Sequence, residues 1–215
     1  MSELFRWDWV VDHLDEVGAR SWEHLFLTFL AVGIGFAISF PLGVYSFRHR
    51  RLYGPIASVA GILYTIPSLA LFALLVPFTG LTATTAEIGL VSYTLLILIR
   101  NVVAGLQGVP EDAREAALGM GFSRSQLLWR VELPLALPVI VAGLRIVTVT
   151  VKCLVTVTAM IDQGGLGDFI LLGLERFFPT ATILGAVLSV LLAVLADRLL
   201  ALGERVLTPW ARAPS

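Results

Sequence analysis

Lys152 is the single lysine of this 215-residue chain, and it stands beside the single cysteine, Cys153, inside the apolar run "TVTVKCLVTVTAMI". An ammonium at that depth in a lipid-soluble segment is costly, so such a residue marks function by default. Two readings compete. Lys152 faces a pathway, where it can meet a carboxylate and repel a cation, or it is an altered position that disturbs the resting protein. Asp162 lies ten residues further on, about 15 Å along a helix, so the two cannot pair within one helix. Cys153 is expected to fill a small buried apolar place rather than to react. One cysteine excludes an internal disulfide and a cysteine metal cluster. His13, His24 and His49 fall outside the apolar runs or at their edges, so no metal ligands gather inside them. A phosphate loop needs Gly-x-x-x-x-Gly-Lys-Ser/Thr, whereas Lys152 follows "TVTV". No cofactor is expected on this chain, and an enzymatic role is poorly served. A net charge of -1 gives no reason to bind nucleic acid.

The elements that hold these residues are apolar helices. Hydrophobic residues make up 57% of the chain and charged residues 14%, against about 45–50% and about 25% in soluble domains. The excess must face lipid. Five apolar stretches, at 24–47, 54–78, 86–106, 138–161 and 181–203, are each long enough to cross a hydrocarbon core of about 30 Å as a helix. None alternates as a barrel strand would. The expected fold is all-α and polytopic, with five transmembrane helices. With the N-terminus outside, the inner segments hold Arg48, Arg50, Arg51, Arg114, Arg124, Arg130, Arg205 and Arg212, and the outer ones Arg6, Arg20 and Arg176. That bias puts the middle of the chain and the C-terminus in the cytoplasm. Arg100, Arg145 and Arg198 then sit near cytoplasmic helix ends, where they can snorkel. Small residues recur at Gly33, Ala37 and Pro41, and at Ala57 and Gly61, a spacing that suits packing within the subunit first and a subunit interface second.

Residues 1–21 lack the basic start and apolar run of a signal peptide. Phe5, Trp9, Val10, Leu14 and Val17 can share one helical face, as in a helix lying at the outer interface. Residues 22–205 form the transmembrane unit, with a charged loop at 107–137, and 206–215 form a tail. Within the loop, Glu111 and Asp112 suit a helix N-terminus, and "AREAALGM" continues with good helix formers. Gly121 breaks the helix, Ser123 caps a second one, and Pro134 and Pro138 are expected to end it and turn the chain back into the membrane. Ala116 and Ala117 leave room for another surface to approach. Leu127, Leu128 and Val131 are expected to anchor the second helix. The product is a handle at the membrane face.

The handle carries a resemblance. Glu115-Ala116-Ala117, three residues, Gly121, nine residues, the apolar Val131, one residue, then Leu133-Pro134 matches the pattern of permease subunits of ABC importers. The resemblance extends from about residue 20 to 205. It implies a type I importer permease of the methionine-permease-like fold. It also implies that Glu115, Ala116, Ala117, Gly121, Leu133 and Pro134 belong to coupling helices seated in a groove on a separate cytoplasmic ATPase subunit, which would bind the ATP. Further partners implied are a second permease subunit, identical or a paralogue, an extracytoplasmic substrate-binding protein and membrane lipid. The stretches "LYTIPSLALFALLVPFTG", "LLILIRNVVAGLQGVP" and "QGGLGDFILLGL" resemble permeases for osmoprotectants such as glycine betaine, choline and carnitine. Tyr64, Pro67, Ser68 and Lys152 are the candidate pathway residues. Lys152, Cys153 and Asp162 depart from the family's usual small or apolar residues. A methionine or amino-acid importer permease, or a membrane scaffold using the same handle, remains the alternative.

Overall fold

The computed structural model describes residues 5–208 and 210. The helices are α1 (Trp7–Asp12), α2 (Leu14–Arg48), α3 (Arg50–Thr65), α4 (Ser68–Thr79), α5 (Ala83–Gln107), α6 (Glu111–Gly119), α7 (Arg124–Leu127), α8 (Leu133–Val155), α9 (Gly167–Glu175) and α10 (Pro179–Leu207). No strand occurs among the described residues. Four helical stretches are long and apolar enough to cross a membrane, and α3 with α4 makes a further, bent pair.

α5 is the centre of the bundle, with α2, α3, α4 and α8 packed around it. Lipid tails are as apolar as leucine, so close packing rather than water exclusion holds such helices together. α2 meets α5 along Ala31, Gly35, Ser39 and Gly43, all buried and four residues apart. A methyl at Gly35 would collide with the Thr94 side chain, and one at Gly43 would lie 2.6 Å from Val102. The small residues that pack within the chain are therefore not Gly33, Ala37 and Pro41, which are exposed.

The second apolar stretch is not one straight span. Ile66 and Pro67 are both extended, with ψ of 128° and 132°, because a residue before proline is driven out of the helical region. The chain bends there by 94°. The Tyr93 hydroxyl on α5 donates to the Ile66 carbonyl at the break, and the Tyr64 and Tyr93 rings meet edge to face with centroids 5.8 Å apart.

At the end opposite the handle, α1 clasps the loop between the last two spans. Trp9 packs edge-on against Phe178 and Phe169, with centroids 5.1 and 6.1 Å away. Val10 is buried while Leu14 is exposed, so the expected single apolar face is divided between protein and surroundings. α2 already begins at Leu14. Arg20 on α2 reaches Asp168 on α9 at 2.7 Å. Gly165 has φ +50°, and a Cβ there would lie 2.8 Å from the His24 backbone. The loop's glycine run thus lets it lie directly on α2. Of the expected tail at 206–215, residues 209 and 211–215, Arg212 included, lie outside the described residues.

Candidate functional site

The handle is two helices joined by a tight turn. α6 ends in a Schellman motif: Gly121 N–H donates to Leu118 O at 2.9 Å, and Phe122 N–H to Ala117 O at 3.1 Å. Gly121 holds φ +83° with nothing within 4 Å of a built Cβ. The left-handed backbone, not crowding, calls for glycine here. Ser123 then opens α7 through a capping box with Gln126, the two bonds measuring 2.8 and 3.3 Å.

Pro134 and Pro138 do not end the second helix. α7 passes through a single π turn, Leu128–Glu132, straight into α8, so one helix runs from Arg124 to Val155. The Leu133 N–H bonds to Leu128 O, five residues back. This widened turn makes room for the ring of Pro134, which has no N–H to give and would strike a carbonyl in a tight α turn. Pro138 lies inside α8. The second helix of the handle, α7, is therefore the end of a transmembrane helix and not a separate piece.

Arg114 fastens α6 to the bundle. Its guanidinium donates to Glu132 Oε1 at 2.9 Å, to Glu111 Oε2 at 2.9 Å and to the Leu106 carbonyl at 2.6 Å. It also lies over the Phe47 ring, 5.6 Å from its centre. Glu132 is only 6% exposed, so Arg114 supplies the opposite charge that a buried carboxylate requires. One residue thus ties α6 to α2, α5 and the π turn. Arg48 adds a bond to the Arg124 carbonyl at 3.3 Å. Arg114 and Glu132 are absent from the residues expected from sequence; the only hint was an arginine directly before Glu115, with nothing to show which carboxylate it meets.

The expected coupling residues gather here. Glu115 and Ala116 are exposed on α6, and Ala117 is buried against the bundle. Leu118 and Met120 extend the exposed face, 51% and 70% open. Leu128 is buried in a cluster with Val102, Leu106 and Ile140, with Leu133 packed beside it; Leu127 and Val131 are only partly covered. Leu133 and Pro134 sit at the start of α8. A groove of about 380 Å³ runs beside the handle between Phe47, His49, Leu118 and Leu127. Arg48, Arg124 and Glu132 also line it, so the groove mixes charged and apolar groups; Glu115 and Ala116 stand on the exposed side of α6 beside it.

The pathway candidates fall in two places. Tyr64, Pro67 and Ser68 cluster at the α3–α4 break, braced by Tyr93. Lys152 lies instead on α8, 2% exposed, and lines a cavity toward α9 and α10. Cys153, expected to be buried, is exposed and lines the same cavity. Asp162 is exposed in a left-handed turn, φ +63°. Arg145 does more than snorkel. It forms a two-pronged pair with Asp197, at 3.0 and 3.2 Å, and a further bond to Glu204 at 2.9 Å, joining α8 to α10.

Residues 30–208 match the family described as "Binding-protein-dependent transport system inner membrane component". The choline transport system permease protein OpuBB of Bacillus subtilis is 37% identical over 190 residues, 88% of each chain. The osmoprotectant import permease protein OsmW of Salmonella typhimurium is 37% identical over 206 residues, 94% of this chain and 96% of the relative. Among solved structures, the inward-facing MetNI methionine ABC transporter superposes with a TM-score of 0.84 at 25% identity, over 92% of this chain and 98% of that one. A helical bundle with this handle, matched along nearly its whole length, belongs to the binding-protein-dependent transport system inner membrane components, as an importer permease subunit that is not itself an enzyme.

Proposed function

We propose that the chain forms half of the membrane pathway of an importer for quaternary-ammonium osmoprotectants, glycine betaine, choline or carnitine among them. Two permease subunits work over two ATPase subunits, and an extracytoplasmic binding protein delivers the solute. The N-terminus lies outside and the handle in the cytoplasm. The observation that carries this reading is the handle's construction. Its exposed face, Glu115, Ala116, Leu118 and Met120, is free to dock, while Arg114 and the unbroken helix from Arg124 to Val155 join it to the bundle. ATP-driven closure of the docked subunit would pull on α6 and move α8 with it. Two packings of the bundle would then alternate between inward and outward openings. The relatives' choline and osmoprotectant substrates support the solute class.

The experiment is ATP hydrolysis by the complex in lipid, with the binding protein and one solute at a time. Stimulation by a quaternary amine and not by methionine is the expected result. Methionine alone as stimulant would favour the second reading, a methionine importer, to which the likeness to MetNI lends weight. A complex that assembles and responds to no solute would overturn transport of either class in favour of a scaffold role.

A further inference from the structure

Two cavities lie on the seam between α8 and α10, apart from the coupling surface. The one further from the handle measures about 240 Å³ and lies among Cys153 and Thr156 on α8, Ile170 on α9 and Ala186, Ser189 and Val190 on α10. Its surface is almost wholly apolar, because the Lys152 ammonium and the Ser189 hydroxyl are both shielded. The one nearer the handle, about 450 Å³, is charged and is lined by Arg145, Asp197, Arg198, Ala201, Glu204 and Arg205. On α10, Ala186, Val190, Ala193, Asp197, Ala201 and Glu204 follow one another at three or four residues, so both cavities open on one face of that helix. Arg145, Val149 and Cys153 keep the same spacing on α8, and Val149 is exposed between the two cavities.

The charged cavity has an excess of cations. Arg145 answers both carboxylates, bonding Asp197 twice and Glu204 once. Arg198 and Arg205 are exposed and form no ion pair among the described residues. Depth then identifies the ligand. Arg198 and Arg205 stand 19 and 26 residues beyond Pro179, which opens α10, or about 29 and 39 Å along the helix. A hydrocarbon core of about 30 Å gives way to headgroups at that level. Trp210, exposed in a cleft beside Arg130 and Pro134, suits the same interface. The apolar cavity at Ser189 lies about 14 Å deeper than Arg198, close to the depth of one leaflet. An arginine's planar fork donates in pairs to phosphate, and an apolar slot at tail depth distinguishes a lipid from a free anion. We infer that the α8–α10 seam holds one anionic phospholipid, its phosphate on Arg198 and Arg205 and an acyl chain running along the seam into the apolar cavity. Only the leaflet, the cytoplasmic one, rests on the orientation given under the proposed function.

The test uses the permease–ATPase complex, stripped of lipid in mild detergent and offered phosphatidylglycerol or phosphatidylcholine, with bound lipid counted by native mass spectrometry. Phosphatidylglycerol should bind at one per permease chain, at least about tenfold tighter than phosphatidylcholine. Arg198→Gln with Arg205→Gln should weaken it by at least about tenfold, and Arg198→Lys with Arg205→Lys should keep most of it. Arg50→Gln with Arg51→Gln, an exposed pair at the same membrane face, should leave it unchanged. In vesicles of the wild-type complex, phosphatidylglycerol with a photoreactive group at the end of its acyl chain should label Cys153, Ser189 or Val190; this arm decides the matter should the glutamine pair fail to assemble. The inference is overturned if both lipids bind equally, if the glutamine pair binds as the wild type does, if the Arg50 and Arg51 substitutions weaken binding as much, or if the label spreads evenly over every exposed helix. Displacement of the lipid by inorganic phosphate at equal concentration would overturn it in favour of a free-anion site. Failure of the proposed function reads out separately, as absent stimulation of ATP hydrolysis by every quaternary amine.

Discussion

Arg114 satisfies three acceptors at once, and Glu132 depends on it for charge balance. Removing one partner of a buried pair leaves an uncompensated charge and costs about 3–5 kcal/mol, whereas replacing both by apolar groups can be nearly neutral. Arg114→Met should therefore destabilise the protein and loosen the handle, and Arg114→Met with Glu132→Met should recover most of the loss. Thermal unfolding of the four forms in detergent gives the coupling energy; additive effects would sink the pairing. Gly121 makes a sharper case, because space and backbone conformation separate there. A side chain has room but must adopt φ +83°, which costs an L-residue about 1–2 kcal/mol. Uptake should fall in the order Gly121, Gly121→Asn, Gly121→Ala, Gly121→Val; equal activity in all four would show that the turn does not need the left-handed backbone. Gly121 was legible in the sequence because a helix stop is local chemistry. The partners of Arg114 were not, since Glu132 lies 18 residues away and only the fold brings it near. Cys153 was misjudged for another reason: where every neighbour is apolar, periodicity no longer tells the inner face from the outer.

Among the elements, the helix from Arg124 to Val155 departs furthest from expectation. Its prolines read as breakers, and in a uniform α-helix they would be. The π turn at Leu128–Glu132 absorbs Pro134 by opening the ladder by one residue, a solution that no residue type announces. Pro134→Ala restores an N–H and removes the ring, so the turn should close to α geometry. That would rotate α7 by about 100° relative to α8 and carry the handle's face off its docking direction. Spin labels on Gln126 and Val149 should report a changed distance, and uptake should fall although the complex still binds ATP. An unchanged distance with normal uptake would remove the π turn from the coupling device. The α3–α4 break shows the opposite balance. Its proline was visible in "TIPSLA", while the brace from Tyr93, 27 residues further on, was not. Tyr93→Phe strips the Ile66 carbonyl of its donor, an unmade bond worth about 1–3 kcal/mol. Proteolysis at the bend should speed up if the brace holds it closed, and should not change if the packing of α4 on α5 suffices.

At the scale of the whole molecule, the proposed function would make the continuous helix a lever, because α7 of the handle and the cavity beside Lys152 both lie on it. α8 carries Lys152 near one end and Arg145 two turns below, and Arg145 grips α10 through Asp197 and Glu204. α10 is otherwise held by α9 and by a limited contact with α8, and most of its surface faces away from the bundle. Under the proposed function, the three-residue clamp is a polar link through which a pull on the handle would reach the last span. A single exposed ion pair is worth about 0–1 kcal/mol, but this cluster is part-buried and one arm is two-pronged, so its geometry is better fixed than most. Asp197→Asn with Glu204→Gln keeps shape and hydrogen-bonding capacity while removing both charges. The doubly substituted complex should still dock its ATPase and hydrolyse ATP in response to solute, because the handle and Arg114 are untouched. Solute moved per ATP should drop severalfold, since α10 no longer follows α8. Measuring uptake and hydrolysis on the same vesicles separates the outcomes. If both fall together, the clamp is a stability element only, and if neither changes, the two spans move as one through packing alone.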